Sequence, residues 1–424
     1  MTVRKNAMKI ILEVNKGAFL WKSLDKYRNY DEMPLLREIT SGVIRNKTYL
    51  DYLIEKSSKI KFKKIHEKIL TILELSLYQI IFMDNIPSYT IVDEAVKLAK
   101  EVGNRGSIGY VNGMLRNIIR EKDFSVDLKG IEYLSTFYSH SLSYVKYIIS
   151  LYGEEKGEKI LKLNNSEAPF TIRTNTLKIS REELLKKLKE NYIVQIDELT
   201  DSGLKIENPR GILDSDEFKK GFFYVQDSGS ILISQVLNPR PGSKVLDMCA
   251  APGGKTAHMA ALMKNEGSIL AWDRDKKIKL IDENTKRLGI KIVKTQINDS
   301  TIYKEENKNE FDYVMLDAPC SALGLIRRKP EIKYKDFSNI KELSNIQYKL
   351  LENASQYVKL KGEILYSTCS ILKVENEDII SKFLQENKNF EIVKTFDKDT
   401  FRTDVTMGSD GFSMTKLRKI RWFI

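Results

Sequence analysis

From about residue 236 onward, short apolar runs alternate with amphipathic stretches, and the apolar runs lead into reactive residues. Val245-Leu246 leads into Asp247, Ile269 to Trp272 into Asp273, and Tyr313 to Leu316 into Asp317. Ile292 to Gln296 precedes Asp299, and Gly362 to Tyr366 leads into Ser367-Thr368-Cys369. This alternation predicts a parallel sheet covered by helices on both faces. Ligands in such a fold bind beyond the carboxyl ends of the strands. One aspartate after one strand is usually a helix cap. Four such acids in succession mark a crevice.

The preceding chain reads differently. Across residues 1–130, Leu36, Ile39, Val43, Leu50 and Leu53 recur at helical spacing, as do Ile69, Leu73, Leu77 and Ile80, then Ile91, Val96 and Leu98. Pro87 and Gly103 break the pattern, and no strand-like alternation intervenes, so an all-α bundle is predicted. Residues 131–235 predict a small α+β unit: a helix over Ser143 to Leu163, strands at Phe170 to Asn175, Tyr192 to Ile196 and Phe222 to Val225, and a helix over Arg181 to Lys189. Residues 236–424 complete a three-domain chain as the α/β domain, which suits a length of 424.

Lys and Arg exceed Asp and Glu by 12, and residues 1–130 carry 7 of that excess. A polyanionic partner fits this balance. The three cysteines, Cys249, Cys320 and Cys369, exclude a disulfide scaffold and a four-cysteine zinc site, and they point to a reducing compartment. The first residues carry charge without an apolar core and cleavage site. The most apolar stretch, Leu70 to Met83, contains Glu74 and Gln79 and is too short for a bilayer. The expectation is a cytoplasmic monomer that engages neither membrane nor metal.

The first strand turn reads Asp247-Met-Cys-Ala-Ala-Pro-Gly-Gly-Lys-Thr256. A phosphate loop needs glycine five positions before Gly254, where Cys249 stands, and the dinucleotide glycine pattern is missing too. Asp273, after the second strand, is placed to bind ribose hydroxyls. A ribose acid without a pyrophosphate loop suits a nucleoside cofactor lacking phosphates, of which S-adenosylmethionine is the commonest.

Cys320 lies in Asp317-Ala-Pro-Cys320 and Cys369 in Ser367-Thr-Cys-Ser370, after neighbouring predicted strands. Paired thiols beside a methyl-donor site suit one reaction. C5 of cytosine is too electron-poor to attack a methyl sulfonium. A thiolate adding to C6 makes C5 nucleophilic, and elimination later releases the thiolate. An acid near N3, a role open to Asp317, stabilises the developing charge.

With these residues in view, Asp-x-Cys-Ala-Ala-Pro-Gly-Gly-Lys-Thr, Asp-Ala-Pro-Cys and Ser-Thr-Cys-Ser resemble, in order and spacing, the motifs of the RNA cytosine-C5 methyltransferases. Gly324 to Pro330, Glu375-Asn-Glu377, Asp410-Gly-Phe412 and Tyr224 to Ser228 look like further landmarks. Ile91 to Lys100 and Tyr110 to Asn117 resemble the helical RNA-binding domain of the antitermination factor NusB. The resemblance therefore implies a NusB-like bundle, a small α+β middle domain and a Rossmann-like, S-adenosylmethionine-dependent methyltransferase domain. It implies 16S ribosomal RNA as the partner.

The resemblance also implies roles. Cys249, Ala250, Ala251, Pro252, Gly253, Gly254 and Lys255 look like the methionine-side cofactor loop, with the Cys249 side chain serving packing. Asp273 resembles the ribose ligand, and Asp299 and Asp317 the remaining cofactor contacts, although Asp299 aligns only after a small loop shift. Cys369 resembles the nucleophile and Cys320 the thiol that assists product release. DNA cytosine-C5 enzymes use a Pro-Cys nucleophile, and Pro319-Cys320 is such a pair; Thr368-Cys369 favours the RNA-type assignment. Arg327 and Arg328 are candidates for phosphate contact. The three histidines, His66, His140 and His258, match no catalytic motif. Other readings stay open: an RNA-binding assembly or antitermination factor with an idle methyltransferase domain, or the same chemistry on transfer RNA or DNA.

Overall fold

The computed structural model describes residues 2–274, 277–335 and 337–421. The chain divides into two compact units, Met1–Glu167 with Ile326–Lys335, and Ala168–Leu325 with Asp336–Ile424. No helix among the described residues is long and apolar enough to cross a membrane.

The first unit is helical. The helix Glu67–Phe82 runs through its centre, burying Ile69, Ile72, Leu73, Leu75 and Leu77 against Leu36, Ile39 and Val43 of Met33–Arg45. Gly42 permits that approach, since a Cβ there would fall 1.9 Å from Cζ of Tyr78. The buried carboxylate of Glu74 pairs with Lys47. The predicted helix over Ser143 to Leu163 is two helices, Leu142–Tyr152 and Glu154–Asn164, broken at Gly153. Gly153 has φ +80°, a left-handed conformation that suits glycine and cannot continue a right-handed helix.

Ile326–Lys335 joins this unit although it follows Cys320 in the chain. Lys333 is buried and donates to the carbonyls of Arg45 (2.9 Å) and Tyr138 (3.3 Å) and to Asn165. Arg327 is buried as well, and its Nη2 donates to the Glu167 carbonyl at 2.7 Å. That guanidinium braces the chain rather than facing solvent, while Arg328 is exposed.

The second unit holds two sheets. The smaller comprises β1 (Phe170–Thr174), β2 (Ile193–Ile196), β3 (Gly203–Glu207) and β4 (Phe223–Val225), antiparallel in the order β2-β3-β1-β4. With the helix Arg181–Leu188 packed on it, this is the α+β unit; β3 is the strand that sequence reading missed.

The larger sheet contains β5 (Lys244–Asp247), β6 (Ser268–Asp273), β7 (Val293–Ile297), β8 (Phe311–Asp317), β9 (Val358–Thr368), β10 (Phe390–Val393), β11 (Phe401–Arg402) and β12 (Ser413–Lys419). Its order is β7-β6-β5-β8-β9-β12-β10, with β11 on β12. Strands β5 to β9 are parallel, as predicted, but β12 runs antiparallel between β9 and β10. The wholly parallel expectation is corrected there. The chain returns through a short link after β11, which allows antiparallel pairing, whereas a parallel strand needs a crossover.

Alternate strand residues serve opposite faces. Leu246, Val314, Leu316, Ile364 and Tyr366 pack with Leu351 and Phe383. Val245, Met315 and Leu365 pack with Ile233 and Met259. Both faces are thus helix-covered. The order reverses between β5 and β8, where a doubly wound sheet opens its crevice.

Candidate active site

After β5 the chain turns tightly around the end of β6. Ala250 N–H donates to the Trp272 carbonyl and Ala251 N–H to Asp273 Oδ2, both at 2.9 Å. Gly253, at φ +98°, lies under Ile281, and a Cβ at Gly254 would meet Tyr224 at 3.0 Å. The helix Gly254–Leu262 starts at this turn. Asp247 is buried. Its Oδ2 accepts from Thr256 Oγ1 at 2.7 Å, and its Oδ1 makes no side-chain hydrogen bond among the described residues. Burial pushes this carboxyl up to about 7. Asn298, at the end of β7, is buried, and its Nδ2 has no partner among the described residues. Asp299 Oδ1 accepts from Thr301 N–H (3.0 Å) and Thr301 Oγ1 (2.7 Å), bonds that hold its carboxyl below the usual range.

Asp317 and Ser367 are register partners on β8 and β9, so their side chains share one face. Ser367 Oγ donates to Asp317 Oδ1 at 3.0 Å, and Lys255 Nζ donates to Asp317 Oδ2 at 2.7 Å. Burial works to lower the Lys255 ammonium, but the charges of Asp317, Cys369 and Asp247 outweigh it and the net displacement is upward.

Beyond these strand ends lie the two thiols. Sγ of Cys320 and Sγ of Cys369 are 2.7 Å apart, and Cys369 N–H donates to the Cys320 sulfur at 3.2 Å. The hydrogen bond to Cys369, then burial, push the Cys320 thiol well above the usual range. The cysteines are free, and 49 residues of chain separate them. Cys249 packs instead beside the apolar cluster of Leu246, Met248 and Trp272, and burial raises its thiol well above normal. Burial likewise holds the imidazoles of His140 and His258 well below their usual range.

Lys255, Asp317 and Ser367 therefore form one hydrogen-bonded set, and the Cys320–Cys369 pair lies two or three residues further along the same two strand ends. Asp273 is tied to the set through the turn that begins at Ala251. Asp299 is held within its own turn. Sequence reading missed Ser367, Asn298 and the open oxygen of Asp247. Their signal was position alone, beside strand-end residues already singled out.

The residues fit a nucleoside cofactor. Asp247 Oδ1 and Asn298 Nδ2 are a buried acceptor and donor without side-chain partners among the described residues, and Gly253-Gly254 keep side chains off the turn. A doubly wound sheet that receives a nucleoside at acidic strand ends, without a phosphate loop, is the fold of S-adenosylmethionine-dependent methyltransferases, and this domain is one. The comparisons agree. The family model described as 16S rRNA methyltransferase RsmB/F matches residues 234–418, the NusB family matches 1–120, and the ferredoxin-like domain of RsmF/B-like methyltransferases matches 140–213.

The probable ribosomal RNA small subunit methyltransferase B of Bacillus subtilis is 35% identical, over 99% of both chains. The ribosomal RNA small subunit methyltransferase B of Photorhabdus laumondii is 32% identical, over 92% of this chain and 91% of that one. The solved structure of a methyltransferase homologue from Pyrococcus horikoshii is 29% identical with a TM-score of 0.62, covering 69% of this chain and all of that one. The chain belongs to the ribosomal RNA small subunit methyltransferase B family.

Proposed function

We propose that this protein methylates C5 of one cytosine in 16S ribosomal RNA, the cytosine at position 967. The observation that carries this reading is the thiol pair, two sulfurs 2.7 Å apart at adjacent strand ends beside Asp317. In this reading residues 1–130 and 131–235 bind RNA, residues 236–424 perform the chemistry, and the work is done in the cytoplasm by a monomer.

The loop from Cys249 to Lys255 holds the methionine side of S-adenosylmethionine, Asp273 its ribose, and Asp299 and Asp317 the remainder. When bound, the cofactor supplies an electrophilic methyl group. The target base leaves its stack to enter the crevice. Cys369 attacks as thiolate: its electron pair forms the S–C6 bond, and the ring pair moves to C5, which would take the methyl group while the pair of the broken methyl–sulfonium bond stays on the departing thioether sulfur. Asp317 stabilises charge at N3. A base then removes the C5 proton, the C5–H pair restores the C5–C6 double bond, and the C6–S pair returns to Cys369. Cys320 assists that release. Its thiol is held up chiefly by its bond to Cys369. Once Cys369 is bonded to carbon that hydrogen bond is gone, and the Cys320 sulfur, at the adjacent strand end, is the group placed to take the C5 proton in its thiolate form.

Purified protein with labelled cofactor should methylate unmodified 16S RNA at one cytosine, and Cys369→Ala should abolish transfer. Labelling of transfer RNA or DNA with none on 16S RNA would overturn the substrate. A protein that binds no S-adenosylmethionine in calorimetry would be an RNA-binding factor with an idle domain.

A further inference from the structure

Glu375 lies in none of the contacts described for the site, yet it is fully buried and reaches both cysteine loops. Its Oε1 accepts from Ser321 N–H at 2.8 Å and from Gln347 Nε2 at 3.0 Å. Its Oε2 accepts from Ser321 Oγ at 2.6 Å and from Ser370 Oγ. Ser321 follows Cys320, and Ser370 follows Cys369. Gln347 Nε2 also donates to the carbonyl of Pro319, the residue before Cys320, at 2.8 Å. The neighbouring Asn376 completes the set: its Oδ1 accepts from Thr368 Oγ1 at 2.8 Å, and its Nδ2 donates to the Ser370 carbonyl at 3.2 Å. Each cysteine is therefore gripped on both sides by one buried network.

A carboxylate buried without a lysine or arginine is costly unless hydrogen bonds fill its oxygens. Here four neutral donors do so, and three of them sit on the residues just after the two cysteines. Those residues come from loops 49 positions apart in the chain. Packing the sheet alone does not require one acid to bridge them.

We propose that Glu375 is a positioning residue whose carboxylate sets the separation of the Cys320 and Cys369 sulfurs. The inference rests on the proposed methylation reading for its purpose, but not for its geometry.

The test measures the thiol pair without RNA. In a Cys249→Ser background only the pair remains. Phenylarsine oxide captures two adjacent thiols: two As–S bonds form, and the arsenic oxygen leaves with both thiol protons as water. Glu375→Ala should weaken this capture about tenfold or more, because the effective concentration of the second thiol falls. Affinity for S-adenosylmethionine should stay near that of the parent. Glu375→Gln should recover most of the capture, since its carbonyl can accept from Ser321 N–H and Gln347 while the two hydroxyls reverse to accept from its amide. With unmodified 16S RNA, Glu375→Ala should also lose turnover by about 10- to 100-fold. Parent-like arsenical capture in folded Glu375→Ala would overturn the proposal. So would parallel loss of arsenical and cofactor affinity, which marks a merely structural role. If Glu375→Ala shows no cooperative melt, the double variant Ser321→Ala with Ser370→Ala decides the matter by the same two titrations. A parent that captures the arsenical but methylates no RNA would sink the methylation reading and leave the clamp standing.

Discussion

Lys255 donates to Asp317 across 2.7 Å, joining the turn after β5 to the end of β8. The side chains are 14% and 27% exposed, so the pair is only partly screened by solvent. Replacing Lys255 with Met leaves Asp317 with Ser367 but without its cation. The expected loss of stability is about 2 kcal/mol, the scale of a hydrogen bond to a charged group. The Lys255 ammonium is displaced upward, so this stabilisation is complete below the ordinary lysine range and fades only as pH rises through the folded value. Urea unfolding of parent and variant should differ equally at about pH 6 and pH 9. Equal stability at both would show that the pair contributes nothing.

The two thiols should separate in their failures. Cys369→Ala leaves no nucleophile, so neither methyl transfer nor covalent adduct is expected. Cys320→Ala leaves attack possible and impairs release. It should accumulate an RNA–protein adduct that survives denaturing electrophoresis, with turnover lowered about 100-fold, the scale of a lost acid–base group. Normal turnover without adduct would remove Cys320 from the release step.

Much of the site was legible because its residues end apolar strands. Asp247, Asp273, Asp317, Cys320 and Cys369 each follow a run whose burial the sequence announces. The supporting residues carry no such mark. Ser321 and Gln347 read as ordinary surface residues, Ser370 and Glu375 stood out only as parts of family motifs, and only the packed fold shows that the four are buried around one another. The place of Ile326–Lys335 in the helical unit was illegible for a similar reason: its lysines and arginines look solvated, yet Lys333 and Arg327 are buried there. The reversal of β12 depends on which strand it returns beside. That is long-range information, absent from local alternation.

Gly324 should tolerate no side chain. Its N–H donates to the Cys369 carbonyl at 2.9 Å, its carbonyl accepts from Gly411 N–H at 2.8 Å, and a Cβ would lie 1.8 Å from the Gly411 oxygen. Gly324→Ala is expected to cost roughly 1–3 kcal/mol through overpacking. It should also lower turnover more than stability alone explains, because the strained loop holds the Cys369 backbone. Gly113 is the control: it is exposed on the helix Arg105–Glu121, and a Cβ there meets nothing within 4 Å. Gly113→Ala should stabilise the protein by about 0.5–1 kcal/mol. Thermal melts and turnover of both variants, measured side by side, check the contrast.

Asp247 should make stability depend on pH in the opposite sense from a salt-bridged acid. Its carboxyl is raised by burial from the ordinary 3.8 to about 7. Below 3.8 the folded and unfolded chains both hold the proton, and no penalty arises. As pH climbs from there, the unfolded chain gives up the proton first, so the penalty grows and is complete once pH passes the folded value. Asp247→Asn removes the ionisation while keeping an oxygen to accept from Thr256. The variant should therefore be about as stable as the parent near pH 4 and clearly more stable near pH 8, in urea unfolding without cofactor. Its affinity for S-adenosylmethionine should fall, because Oδ1, which makes no side-chain hydrogen bond among the described residues, is an acceptor left for a ligand at the turn. A stability difference that does not change between those two conditions would show that Asp247 titrates normally, and its burial would then carry no ionic penalty.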